Sequence, residues 1–198
     1  CFSYFSSSSQ QRGSPPKSVT ASPVLLPAAA AIRRIPFLLV PHGAFCDSGP
    51  LVAEALLELD RETGYFQTSS DPQDDDDSSR TVVLLGTEHA STARHFLSLA
   101  GFSQWRTPLG DMTVDPELFQ QIAATILPVE TEPFLQEHSI ENQLPFLQYL
   151  EQTRGLKLNI LPISVRSVVT EDEFQFLQQQ DKDGPLVELA QLLQDYQM

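Results

Sequence analysis

The chain has 198 residues, enough for one domain with a real core, and 41% of them are hydrophobic, as in a soluble globular protein. Its formal net charge is −14, and residues 1–36 hold four basic and no acidic residues, so the remaining body carries −18 and should repel nucleic acid and anionic membranes. No apolar run approaches the roughly 20 residues of a membrane helix; the longest candidate, from Ser22, is broken by prolines and ends at Arg33-Arg34.

Residues 1–34 are rich in Ser, Pro and Ala without helical or strand period, which predicts a disordered tail. Their lack of acid also resembles an organelle transit peptide. Cys1 in place of Met is expected of a sequence that begins inside a longer one. With Cys46 as the other cysteine, no disulfide framework is expected, and a reducing compartment, the cytoplasm, fits best.

Residues 35–198 read as an α/β domain. Pro36-Phe37-Leu38-Leu39-Val40 predicts a buried strand ending at Pro41-His42-Gly43. Gly49-Pro50 opens a helix to Leu59. Residues 67–79, with four consecutive aspartates, predict a mobile acidic loop; a calcium loop is the sharper alternative, without the required glycine or ligand spacing. Thr81 to Leu85 is a second buried strand, and a strand, helix and strand in this order predict a parallel βαβ unit. Asp115-Pro116-Glu117 has cap, N1 proline and first-turn acid for a helix to about Ile126. Ser139 is placed as the cap of a helix carrying Leu144 to Leu150. Leu158 to Val165 is a third strand, which Pro162 assigns to an edge or an irregular end. Thr170 to Glu173 is a capping box, and Gly184-Pro185 opens a last helix to about Gln194. The fold class is α/β, with a mainly parallel central sheet flanked by helices.

His42 follows the first predicted strand and His89 the second. Ligands bind outside the carboxyl ends of parallel strands, so topology should bring these two imidazoles to one rim. Imidazole suits iron, copper or zinc, but two ligands hold a metal poorly. Backbone hydrogen bonding would equally explain two loop histidines. Glu137-His138 joins a carboxylate to an imidazole, a pair suited to acid–base work or to orienting a metal ligand. His95 is expected on the surface, and Cys46 as a buried, inert thiol. Phosphate loops, a serine elbow and paired CxxC motifs are not present.

Five ordered segments carry a resemblance. Pro41-His42-Gly43-Ala44-Phe45 with Gly49 resembles a P-H-A-G-Y…G signature, and Leu85-Gly86-Thr87-Glu88-His89 an L-G-P-S-H signature. Thr107-Pro108-Leu109-Gly110 with Val114-Asp115, Glu137-His138-Ser139-Ile140-Glu141 with Leu144-Pro145-Phe146-Leu147, and Ile160-Leu161-Pro162-Ile163-Ser164-Val165 follow in order. The set resembles the Memo-like family, whose LigB-like fold is shared with class III extradiol dioxygenases. The resemblance implies His42 and His89 as ligands of a divalent metal, iron or copper, with Glu137 and His138 as catalytic groups beside it. It further implies metal-dependent redox or dioxygenase-like activity, or else a non-catalytic signalling protein whose pocket accepts a small molecule or peptide. Glu88 departs from the signature and is placed to support a cation or block the site. The family's S-D-x-x-H motif and its cysteine ligand would lie beyond Met198. The domain is accordingly expected to be incomplete, and the 198 residues alone are not expected to turn over substrate; an inactive fragment is the bland alternative.

Overall fold

The computed structural model describes residues 37–67, 79–90, 92–167, 170–172, 175 and 184–196. The expected tail, nearly all of the acidic loop and Glu173 of the Thr170 capping box lie outside the described residues. The elements run α1 (Phe45–Thr63), β1 (Arg80–Glu88), β2 (Leu97–Ala100), β3 (Gln104–Thr107), β4 (Gly110–Val114), α2 (Pro116–Thr125), β5 (Val129–Glu130), α3 (Glu132–Leu135), a 3₁₀ turn (Glu141–Gln143), α4 (Leu144–Arg154), β6 (Leu158–Arg166) and α5 (Pro185–Tyr196).

The fold is α/β, and its six-stranded sheet is mixed. Strand β6 lies at its centre. It pairs along its whole length with β1, in parallel, from Arg80 opposite Leu158 to Glu88 opposite Arg166. On its other side β4 pairs in parallel with Asn159 and Ile160, and β2 pairs antiparallel with Ile163 to Val165. The sheet is completed by β5, parallel to β2, and by the antiparallel hairpin of β3 and β4. The predicted mainly parallel sheet thus has two antiparallel pairings, β2 with β6 and β3 with β4, each involving a short strand that the sequence pattern does not display.

Two strand expectations are corrected. Residues 37–40 form no strand, and Phe37 and Leu39 are 77% and 86% exposed. Apolar composition made that run resemble a buried strand, but it takes no place in the sheet, and β1 has β6 as its single neighbour among the described residues. Pro162, expected at an edge, sits inside the central strand. The Ile160 carbonyl accepts from Asp115 N–H on the β4 side, and Arg166 N–H donates to Phe96 O on the β2 side. Residues two apart on a strand point their backbone groups to the same side, so Pro162 faces the seam where β4 has ended and β2 has not begun pairing. A missing N–H costs no ladder bond there.

The helices follow local chemistry. Asp115 caps α2: its Oδ1 accepts from Glu117 N–H at 3.1 Å and Leu118 N–H at 3.0 Å. Its Oδ2 accepts from the Thr81 hydroxyl on β1 and, at 3.2 Å, from the Tyr196 hydroxyl on α5. One buried carboxylate therefore joins three elements. Helix α1 starts five residues earlier than expected and carries Pro50 inside it. Gly64 and Gly155 end α1 and α4 at φ of 68° and 66°, the left-handed conformation glycine adopts without strain. Leu118 and Ile122 of α2, Leu144, Leu147 and Leu150 of α4 and Leu189 of α5 share one core with Ile160, Leu161 and Ile163 of β6. Among the described residues no helix is long and apolar enough to cross a membrane.

Replacing Asp115 with Ala removes the cap and leaves Thr81 without its acceptor. Urea denaturation should show a loss of about 2 kcal/mol, with a smaller loss for Tyr196→Phe.

Candidate metal centre

Strand β1 ends at Glu88, and its next residue, His89, stands at the carboxyl edge of the sheet. The segment between α3 and α4 crosses this edge. Its Glu137 carboxylate accepts from His89 N–H at 2.6 Å and from His138 N–H at 2.8 Å. The His89 ring places Nδ1 2.9 and 2.8 Å from the two oxygens of the same carboxylate. A carboxylate accepts only, so this pairing assigns the His89 proton to Nδ1 and leaves the Nε2 lone pair free to bind.

Nε2 of His89 lies 3.4 Å from Nε2 of His42. The His138 ring completes a triangle, 5.7 Å from the His42 ring and 5.6 Å from the His89 ring, centre to centre, and is stacked nearly parallel to His89 at 16°. Its Nδ1 lies 3.3 Å from Glu137. One ligand atom from each of His89, Glu137 and His138 falls within a span of 4.8 Å, a group that does not include His42, whose Nε2 approaches, among the described residues, His89 alone at hydrogen-bond range. Two nitrogens bound tetrahedrally to one ion at about 2.0–2.1 Å stand roughly 3.3–3.4 Å apart, the spacing of the His42 and His89 nitrogens. The residues present fit a metal.

The expected meeting of His42 and His89 occurs, by a different route. His42 is delivered by the loop before α1 rather than by a strand end. The 3₁₀ turn holds that loop: the Asn142 amide donates to His42 O at 3.0 Å and Gly43 O at 3.3 Å, and the Gln143 amide donates to Pro41 O at 3.2 Å. Ser139, expected as a helix cap, instead donates its hydroxyl to Thr87 O on β1 at 3.0 Å. Helix α4 starts later, at Leu144, with Pro145 in its first turn. The close approach of this segment to β1 requires glycine at position 86. A Cβ there would stand 2.4 Å from Ile140 Cγ1 and 2.6 Å from Ser139 Oγ.

Glu88 is turned toward Thr92 by one of its two carboxylate oxygens. Its side chain is buried, at 1% exposure, and its Oε1 accepts from Thr92 N–H and the Thr92 hydroxyl at 2.6 and 3.1 Å. Cys46 is exposed rather than buried, and it is outside the cluster of potential ligands among the described residues. His95 is exposed as expected, and its Nδ1 pairs with Glu130 at 2.6 Å. Sequence reasoning overlooked Asn142 and Gln143, whose signal was their place inside the Glu137 motif.

A sequence model of the Memo-like protein family matches residues 18–183. The chain belongs to the Memo-like family. It is 33% identical over 152 residues to a MEMO1 family protein of Sulfolobus acidocaldarius, covering 76% of this chain and 46% of that protein. A MEMO1 family protein of Methanocaldococcus jannaschii is 34% identical over 128 residues, 64% of this chain and 40% of its own length. One of Sulfurisphaera tokodaii is 31% identical over 131 residues, 65% and 40% respectively. The chain thus spans less than half the length of these Memo-like relatives.

Burial pushes the Glu137 carboxyl up, but the N–H donors of His89 and His138 and the His89 ring outweigh it and hold it below its ordinary value of 4.5. A depressed carboxyl contributes stability fully above the ordinary carboxylate range and loses it as pH falls through the lowered value. A ¹³C titration of the Glu137 carboxyl should therefore give a midpoint below 4.5, and Glu137→Gln should make the acid loss of stability shallower. Gly86→Ala forces Ser139 and Ile140 away from β1 and should cost about 1–3 kcal/mol in urea denaturation.

Proposed function

We propose that this chain holds one divalent metal, iron or copper, through His42, His89 and His138, and that the whole protein carries out metal-dependent redox chemistry of a dioxygenase-like kind. The observation that carries the reading is the 3.4 Å approach of two imidazole Nε2 atoms, one of them backed by an ionised carboxylate. Three imidazoles match the ligand number of catalytic sites, which keep a further position open. Iron or copper bound there would supply dioxygen and electron-transfer chemistry.

The chain's own groups have separable tasks. Glu137 keeps the proton on Nδ1 of His89, fixes the ring plane and raises the basicity of Nε2. Asn142 and Gln143 hold the His42 loop at its carbonyls, so that His42 meets His89 without a strand of its own. The rings of His89 and His138 remain open to solvent, with side-chain exposures of 47% and 55%. A small molecule or a peptide side chain can therefore reach them. The unpaired, exposed thiol of Cys46 supports a reducing compartment, the cytoplasm, as the place of action.

Elemental analysis and calorimetry of the metal-loaded chain test this. One equivalent of iron or copper is expected, lost in His42→Ala and His89→Ala, with affinity reduced about 10–100-fold in Glu137→Gln. Retention of full affinity in His138→Ala would remove His138 from the ligand set and leave it as an acid–base group. Failure of the wild-type chain to bind either metal would overturn the reading in favour of a non-catalytic binding scaffold.

A further inference from the structure

A small cavity of about 10 Å³ has walls that include Trp105, Glu137, Ser139, Ile140 and Ser164. This is the space needed by the centre of one water molecule. Two wall residues carry polar atoms shielded from solvent with no partner in the protein, the Trp105 indole Nε1 and the Ser164 hydroxyl. Phe102 and Phe134 pack edge-on against the indole at 5.9 and 6.0 Å, so its orientation is set by aromatic neighbours. Ser164 lies opposite Gly86 in the β1–β6 ladder, which puts its side chain on the face crossed by Ser139 and Ile140.

The groups around this space are complementary. An indole N–H only donates, a carboxylate only accepts, and a serine hydroxyl does both. Three N–H groups already donate to Glu137, the amides of His89 and His138 and the His89 ring. The His138 Nδ1 also approaches this carboxylate, at 3.3 Å, and a carboxylate offers about four lone-pair positions in all. Buried polar groups in folded proteins find partners, and a space of this size with three such walls supplies one through water.

We propose that the cavity binds a single ordered water, held by Trp105 Nε1–H and Ser164 Oγ, which donates to Glu137. Trp105 and Ser164 are then positioning residues: they act through the water on the carboxylate that orients His89. This support of Glu137 is independent of whether a metal binds, and its failure would leave the metal reading intact.

The chain has one tryptophan, so one indole N–H resonance reports on the cavity. In the full 198-residue chain, that proton should show a cross-relaxation peak to a long-lived water. A high-resolution crystal structure should place density within hydrogen-bond distance of both Trp105 Nε1 and Ser164 Oγ. Ser164→Thr adds a methyl group that fills the space, and the water peak should vanish. Both Ser164→Thr and Trp105→Phe should shift the Glu137 carboxyl carbon and His89 Nδ1 resonances, a change that loss of packing alone at Trp105 would not produce in the first variant. A wild-type indole without a water contact, or one bonded directly to a protein acceptor, would overturn the water site. Unchanged Glu137 and His89 resonances in both variants would overturn the positioning role.

Discussion

The Glu137 carboxylate is the constraint around which the rest of this structure is arranged. A charged group with little exposure must be surrounded by donors, and the donors here come from two stretches of chain: the end of β1, through His89, and Glu137's own segment, through His138. Meeting that requirement brings the two stretches together. Ser139 adds a further tie to Thr87, and glycine at position 86 removes the Cβ that would keep them apart. The same segment then continues into the 3₁₀ turn whose amides secure the His42 loop. One short motif supplies an imidazole, orients a second and captures the loop bearing a third.

The sheet makes this meeting possible. Strand β1 is held along its full length by a parallel ladder with β6, and it delivers His89 just beyond the last paired residue. Strand β6 in turn is central because its other side is shared between β4 and β2, with Pro162 at the seam between them. At the opposite end of β1, Thr81 meets the Asp115 cap of α2, so the strand is anchored at one end by a helix cap and at the other by Glu137. Two carboxylates of low exposure thus set the ends of one strand.

Local rules were most legible where the signal was itself local. The Asp115-Pro116 cap, the Gly184-Pro185 start and the apolar runs of β1 and β6 read correctly because each is decided by neighbours in sequence. Strands β2 to β5, of two to five residues, had no such signal; their pairing is settled by contacts across the sheet. Phe37 to Val40 failed for the converse reason: an apolar run specifies a wish for burial, and only a neighbouring strand can make it a strand. Ser139 has the chemistry of a cap but donates its hydroxyl to a carbonyl on β1.

The sequence by itself determined the family and named His42, His89, Glu137 and His138, because ordered motifs preserve residue types at fixed spacings. It also determined that the site would draw on segments about 50 and 100 residues apart, since those motifs are so separated. Only the tertiary structure decided that His138 stands with the other two imidazoles, that Glu137 serves His89, and that Glu88 is buried and bonded to Thr92. Side-chain direction depends on strand register and on which loop crosses the sheet edge. Those are set by long-range pairing and packing, which no local stretch of sequence encodes.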